Sequence, residues 1–150
     1  MKRKTPIYGI MLAILACVNC SEAENPEMAC AVNSISGPED DVIGKWKLVK
    51  EHTVFSREGP MITDHTCNNI VYHFQMGNIL TISSDIEDYS GIPLGQHDYE
   101  LKQQPLFKHL DHDHTLQIES AKYACSISKS TMILDSSPVD GPILHFIRIQ

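Results

Sequence analysis

The segment HLDHDHT, residues 109–115, holds the densest group of side chains in the sequence that could bind a metal ion. His112 and His114 are two residues apart, so on a strand their imidazoles would point the same way and the aspartates beside them the other way. Imidazole and carboxylate are both ligands of Zn²⁺. No further ligand can be paired with them from the sequence. We therefore interpret the segment as a solvated loop between strands and predict no metal site and no cofactor.

A second acidic segment, Asp85-Ile86-Glu87-Asp88, could supply carboxylates for acid–base chemistry or for calcium. It lacks the glycine and the ligand spacing of an EF-hand loop, so we interpret it as solvated as well. Serine, histidine and aspartate are plentiful, but the sequence has no nucleophile elbow and no metalloprotease motif. The sequence therefore predicts that the protein is not an enzyme.

The N-terminus has the pattern of an export signal. A basic start is followed by a short apolar run, which is too short to span a bilayer and fits the core of a signal peptide. The residues Ile14-Leu15-Ala16-Cys17 resemble a bacterial lipobox, whose cysteine is acylated and becomes the new N-terminus. We predict a lipoprotein signal peptide over residues 1–16, with Cys17 lipidated; an ordinary secretory signal is the alternative.

The remaining chain is strongly acidic. The whole sequence has 12 Lys+Arg, 19 Asp+Glu and a net charge of −7; residues 1–16 hold three of the bases and none of the acids, so their removal gives −10. Nucleic acids and anionic lipid surfaces both attract positive proteins. We therefore predict no nucleic-acid partner, and contact with the membrane through the lipid anchor only.

Four further cysteines can form disulfides, because an exported chain reaches an oxidising compartment. Cys20 and Cys30 lie in residues 17–35, which have the polar composition of a flexible tether. Cys67 and Cys125 lie in the part that we expect to fold. Sequence alone does not choose among the three full pairings of four cysteines, but this placement leads us to predict a Cys67–Cys125 disulfide.

Residues 36–150 are dominated by alternating apolar and polar side chains, which is the period of a strand. Pro38 and the acids after it predict a short helical turn at the start, which Gly44 can end. Eight short strands with turn signals between them follow at 45–52, 69–75, 79–84, 97–102, 115–120, 123–129, 131–136 and 142–149. Eight such strands can close into a barrel that holds side chains or one small ligand. We predict an all-β domain, an eight-stranded antiparallel up-and-down barrel.

Gly44-Lys45-Trp46, at the start of the first strand, resembles the G-x-W motif of the lipocalins. The wider pattern is similar to the small lipocalin-like lipoproteins of Gram-negative bacteria, with a G-x-W-x-L start, then Cys67, then an F…G-x-L hairpin from Phe74 to Leu80. The resemblance covers about residues 36–150 and implies a lipid anchor at the cell envelope, in the outer membrane. In lipocalins a basic residue from the end of the barrel often packs on this tryptophan, and Arg148 has that position. The resemblance thus implies that Gly44, Trp46 and Arg148 close one end of the barrel.

Apolar side chains that share strand faces are the candidates for a ligand site. They are Tyr72, Phe74, Tyr99, Leu101 and Tyr123. Aromatic residues on one strand face also form ordinary cores, and that alternative stays open. We expect non-catalytic binding of a small apolar molecule in or at the mouth of the barrel. The alternative is a protein-interaction module with a packed barrel, such as a protease inhibitor or an accessory subunit of an envelope complex.

Overall fold

The computed structural model describes residues 28–54, 56–57 and 59–150. The predicted signal peptide, with Cys17 and Cys20, lies outside the described residues. The strands are β1 Gly44–Thr53, β2 Met61–Asp64, β3 Val71–Gln75, β4 Ile79–Ser83, β5 Gly95–Lys102, β6 His114–Ile118, β7 Ala121–Ile127, β8 Thr131–Asp135 and β9 Ile143–Ile149. A 3₁₀ turn spans Ser137–Val139. No helix within these described ranges is long and apolar enough to cross a membrane.

Eight of the strands form a closed antiparallel barrel. From β3 to β9 each strand pairs with the next in chain order, and β1 joins β3 on one side to β9 on the other. This is the predicted up-and-down order, so the fold class is confirmed. Closure leaves the barrel without free sheet edges.

The ninth strand, β2, was not predicted. It pairs only with the second half of β1, from Lys50 to Thr53, beyond a bulge between Leu48 and Lys50. The first half of β1 uses the same edge to pair with β3. Because β2 is largely exposed on both faces, it has no alternation of apolar and polar residues by which the sequence could reveal it.

The barrel interior is filled by the inward residues of the strands. Trp46 and Leu48 are fully buried, whereas Lys45, on the outer face of β1, is exposed, as the alternation predicts. Further fully buried side chains include Ile70, Tyr72, Phe74, Leu80, Leu116, Leu134 and Phe146. Tilted and edge-to-face ring contacts knit this core: the ring centroids of Tyr72 and Phe146 are 4.9 Å apart and those of Phe74 and Tyr99 5.0 Å.

One end of the barrel is closed by Trp46 and Arg148, as the resemblance implied. The guanidinium carbon of Arg148 lies 4.2 Å from the centre of the Trp46 ring, a cation–π contact. The indole Nε1 donates to the carbonyl of Val42 at 2.6 Å. Gly44 has a φ of 128°, which lets the chain turn into β1 at this point. Trp46 is wholly buried and Arg148 only 4% exposed, so the pair forms a closed floor.

The predicted helical turn before Gly44 is wrong. Residues 36–43 cross the end of the barrel without forming a helix. Arg148 donates to the carbonyls of Pro38 at 3.2 Å, Asp41 at 2.6 Å and Ile43 at 2.8 Å. These carbonyls serve a buried cation that is far away in sequence, and the local signals of a helix start do not report such a partner.

The predicted Cys67–Cys125 disulfide is also wrong. Cys67 is bonded to Cys30, with 5.1 Å between their Cα atoms, and Cys125 is a free cysteine inside the core. The prediction treated Cys30 as part of a free tether, whereas residues 28–35 lie against the barrel. The amide of Ala29 donates to the carboxylate of Asp64 at 2.8 Å, and the amide of Ile35 donates to a carbonyl of β9 at 3.0 Å.

Replacement of the floor residues should show that they are energetically coupled. Trp46→Ala should cost about 3–5 kcal/mol, as for a buried aromatic, and Arg148→Ala about 2–3 kcal/mol, because three partly buried hydrogen bonds lose their charged donor. Since the two side chains touch, the double variant should lose about 1 kcal/mol less than the sum. Urea unfolding measures all three, with the exposed Lys45→Ala as a neutral control. Strictly additive losses would contradict the contact.

Cysteine chemistry should follow the observed pairing. Non-reducing peptide mapping should recover the Cys30–Cys67 link. Burial raises the pKa of the Cys125 thiol to about 12, and the thiolate is the reactive form, so iodoacetamide should label Cys125 only after unfolding. A loop of 37 residues implies that Cys30→Ser lowers the free energy of unfolding by up to about 4 kcal/mol. Rapid labelling of Cys125 in the native protein would speak against this placement.

Candidate functional site

The end of the barrel opposite Trp46 is open and contains a cavity. Strand β1 runs from Gly44 at the closed floor to Thr53, which lines this cavity of about 480 Å³. Its wall comes from the end of β1, the β4–β5 connection, the β6–β7 turn and the β8–β9 connection. The apolar and aromatic lining residues are Tyr89, Ile92, Pro93, Ile118, Ala121, Tyr123, Pro142 and Leu144. A concave, mainly apolar site with a few polar groups is the usual form of a small-molecule site.

The β4–β5 connection, residues 84–94, forms a roof over this end. Ile86, Tyr89 and Ile92 pack against the buried core, although they belong to a loop. The hydroxyl of Tyr89 lies 2.7 Å from that of Tyr72, which is the point where the loop meets the barrel interior. The carboxylate of Asp85 is exposed, as we predicted, and it also accepts a hydrogen bond from the backbone amide of Asn69 at 2.7 Å. The loop is therefore fastened at its start and its middle.

His97 fastens the other end of the roof. Its Nδ1 lies 2.6 Å from a carboxylate oxygen of Glu119, and its Nε2 lies 2.7 Å from the carbonyl of Pro93. Both partners are acceptors, so the two hydrogen bonds form together only when both ring nitrogens carry a proton, that is, in the imidazolium form. The hydrogen bond to Glu119 is the main cause that raises the pKa of His97 above its ordinary value of 6.5. The cation thus ties the roof to the β6–β7 turn.

The charged side chains among the described residues that line the cavity are all carboxylates. Glu51, Glu119 and Asp140 line it, and no lysine, arginine or histidine does so among the residues that the structure describes. Burial raises the pKa of the phenols of Tyr89 and Tyr123, so both stay neutral at ordinary pH. The cavity thus combines an apolar wall, two neutral phenols and negative charge.

The structure separates the residues that we predicted for ligand binding. Tyr123 lines the cavity. Tyr72 is buried beneath it and reaches the roof through its hydroxyl only, while Phe74 and Tyr99 pack together in the core. Leu101 packs against that core and is half-buried. Most of the predicted set is therefore core, which was the alternative interpretation.

The cavity residues that sequence reasoning missed lie mostly in loops. Tyr89 and Ile92 belong to a connection without any period, so alternation could not assign them. One local signal was present in Gly91, where a Cβ atom would collide with the ring of Tyr89. A glycine that lets an aromatic ring fold over its backbone indicates a compact loop rather than an extended one.

The histidine cluster is built differently from the solvated loop that we predicted. The ring of His112 lies between the hydroxyl of Ser126, 2.7 Å from Nδ1, and the carboxylate of Asp135, 3.2 Å from Nε2. These are the residue types of a serine-hydrolase triad, but none of the three lines the cavity. They fasten residues 103–113 to β7 and β8. His114 is instead buried beside Cys125, because β6 begins at that residue.

In the part of the chain that the structure describes, no three histidine, cysteine or acidic side chains are grouped so that they could hold a metal ion.

A second concave surface lies outside the barrel, where β8, β9, β1 and β2 are adjacent. This groove of about 680 Å³ has an apolar floor that includes Val49, Ile62, Ile133 and Ile147. Lys50, Asp64 and His145 also line it, so it carries charge of both signs. Ile62, on β2, is 53% exposed. The groove is the best candidate in the described chain for contact with another protein.

Comparisons of this chain with protein-family models, with curated proteins and with solved structures found no match.

The two hydrogen bonds of His97 predict that the stability of the roof depends on pH. The pKa of His97 is raised in the folded protein, so its stabilisation is complete below about pH 6.5 and is lost as the pH rises through the higher folded value. Hydrogen exchange of residues 84–94, corrected for intrinsic rate, should show weaker protection at about pH 8.5 than at about pH 6. His97→Gln should remove this dependence, and the exposed His109→Gln should keep it. Protection that does not change with pH in the parent protein would contradict the prediction.

Proposed function

We propose that the protein binds a small, mainly apolar molecule, without catalysis, in the cavity at the open end of the barrel. The observation that carries this proposal is the cavity itself, which is about 480 Å³ and lies under a fastened roof. Its size falls within the range of small-molecule sites, about 300–1,000 Å³. An eight-stranded barrel whose interior is filled by side chains alone would not be expected to have such a cavity.

The distribution of side-chain size supports the same proposal. The largest rings, Trp46 and the Phe74–Tyr99 pair, fill the closed end and the middle of the barrel. The open end has Ala121 and Leu144 on its strands, and the roof contributes Tyr89 and Ile92 from a loop. A loop can move without breaking the barrel ladder, so the roof provides a route by which a ligand enters.

We further propose that the protein acts at the cell envelope, held by a lipid on Cys17. The support is the sequence pattern of residues 1–17 and the oxidised Cys30–Cys67 pair, which suits an exported protein. Globomycin, which blocks lipoprotein signal peptidase, should make a larger precursor accumulate; unchanged processing would remove the anchor from the proposal.

The second candidate function is that of a protein-interaction module, in which the outer groove binds an envelope partner. The apolar floor of the groove and the exposed Met61 and Ile62 of β2 favour it. It differs from the first candidate in location, since the groove lies on the outside of the barrel wall. Substitutions in the two places therefore separate the two functions.

Titration with N-phenyl-1-naphthylamine, an uncharged apolar dye, tests the proposal. The dye should bind at one saturable site with enhanced fluorescence. Ala121→Trp places a large ring in the cavity and should weaken binding at least about tenfold, whereas Ile62→Asp in the groove should leave it unchanged. The reverse pattern would assign the apolar site to the groove and support the interaction module. Absence of saturable binding to the parent protein would contradict both sites as receptors for small apolar molecules.

A further inference from the structure

We infer that the molecule bound in this cavity is an organic cation, an apolar body that carries an amine or a quaternary ammonium group. The inference rests on the proposed function and adds the charge of the ligand to it. It comes from the chemistry of the cavity wall, where the charged side chains among the described lining residues are all carboxylates, beside serine and threonine hydroxyls and tyrosine phenols.

The carboxylates approach the cavity from three sides. Glu51 stands on β1, Glu119 in the β6–β7 turn and Asp140 in the β8–β9 connection. Glu119 has a φ of 51°, where glycine or asparagine would be less strained, so the backbone of the β6–β7 turn does not itself favour a glutamate. Asp140 has a φ of 62°, which aspartate adopts more readily than most residues.

The nearest bases leave the negative charge of the cavity only partly compensated. His97 is bound to Glu119, and it is behind the wall rather than in the lining. The Nε2 atom of His65 lies 3.5 Å from a carboxylate oxygen of Glu51. Neither ring nitrogen of His65 makes a hydrogen bond with the described residues. Lys50 lines the outer groove and not the cavity, and Arg148 lies in the floor at the opposite end of the barrel.

Glu51 is the carboxylate whose charge reaches furthest into the barrel. The side chain of Glu51 is 30% exposed, which is less than that of Glu119, the other cavity carboxylate that forms an ion pair. Burial is the first cause that raises the pKa of the Tyr72 and Tyr89 phenols, and the negative charge of Glu51 contributes to both shifts. A positive group of a ligand would meet the same field with the opposite sign, and would be attracted.

The tyrosine rings complete a site for a cation. Tyr89 in the roof and Tyr123 on β7 present aromatic surface to the cavity that Glu51 also lines. The faces of such rings attract ammonium groups, and do so most strongly where water is partly excluded. The apolar part of the ligand would then lie against Ile118 and Leu144 on the barrel wall.

Other ligand charges fit this wall less well. A carboxylate ligand would stand among three like charges without a lysine or arginine in the lining, at an electrostatic cost. A bare metal ion would need its ligands close together, and among the described residues these carboxylates do not form such a group. An organic cation avoids both costs, because its charge is opposite to that of the carboxylates and one ammonium group does not need several ligands close together.

Three ligands of nearly equal shape test the inference: protonated 2-phenylethylamine, uncharged 2-phenylethanol and anionic 3-phenylpropionate. Isothermal titration calorimetry at neutral pH and low salt should give the amine about tenfold higher affinity than the alcohol, and the carboxylate the lowest affinity. The preference for the amine should shrink as salt is raised, because partly exposed charges are screened.

Glu51→Gln removes the charge while it keeps the shape. It should lower the affinity for the amine by roughly fivefold to tenfold and leave that for the alcohol within about twofold. Glu87→Gln is the matched control, because Glu87 carries the same charge in the roof loop but does not line the cavity. It should leave all three affinities unchanged.

The outcomes separate this inference from the proposed function. Equal affinity for amine and alcohol, tighter binding of the carboxylate, or an unchanged preference in Glu51→Gln would overturn the cation while the apolar site stands. If none of the three ligands binds and the uncharged dye fails as well, the proposed function is wrong and the cation falls with it.

Discussion

The guanidinium of Arg148 is the group around which the closed end of this barrel is arranged. A buried charge is costly unless its hydrogen-bonding positions are filled. Here the indole of Trp46 covers the plane of the cation, and the carbonyls of Pro38, Asp41 and Ile43 accept hydrogen bonds from its Nη1 and Nη2 atoms, while Nε has no partner among the described residues. Those carbonyls can reach Arg148 only if residues 38–43 cross the end of the barrel. One side chain of the last strand thus determines the path of the chain before the first.

The same requirement extends to the neighbouring residues. A Cβ on Gly37 would stand 2.7 Å from the Arg148 guanidinium, so the position is suited only to glycine. The amide of Gly37 donates to the carbonyl of Lys129 at 2.7 Å, which brings the β7–β8 turn into the floor. The floor is thus built from β1, β9, that turn and the crossing segment, and the ring of Trp46 fills it. The opposite end is covered by the loop of residues 84–94, and it is there that space remains.

Alternation along the sequence was sufficient for the eight barrel strands, because each has one face in the core and one toward solvent. It failed for β2, whose residues are largely exposed on both faces. The contact of Arg148 with Trp46 could be predicted because a family resemblance named both positions, whereas its bonds to the crossing segment join residues more than 100 positions apart and leave no local pattern. The cavity was the least predictable part. Tyr89 and Ile92 lie in a loop, and Glu51 differs from the polar residues around it only in facing inward.

The Cys30–Cys67 disulfide fixes the length of chain between Cys17 and the barrel. If Cys17 carries the lipid, Cys30 is where the tether meets the barrel, and the 13 peptide units between them span at most about 45 Å. That is close to the full thickness of a bilayer with its headgroups, about 40–45 Å, so the barrel stays within one membrane width of the surface. The amides of Ala29 and Cys30 donate to Asp64 and Thr66 beside this bond. If Cys17 carries the lipid, this attachment therefore sets how far the barrel can move from its anchor.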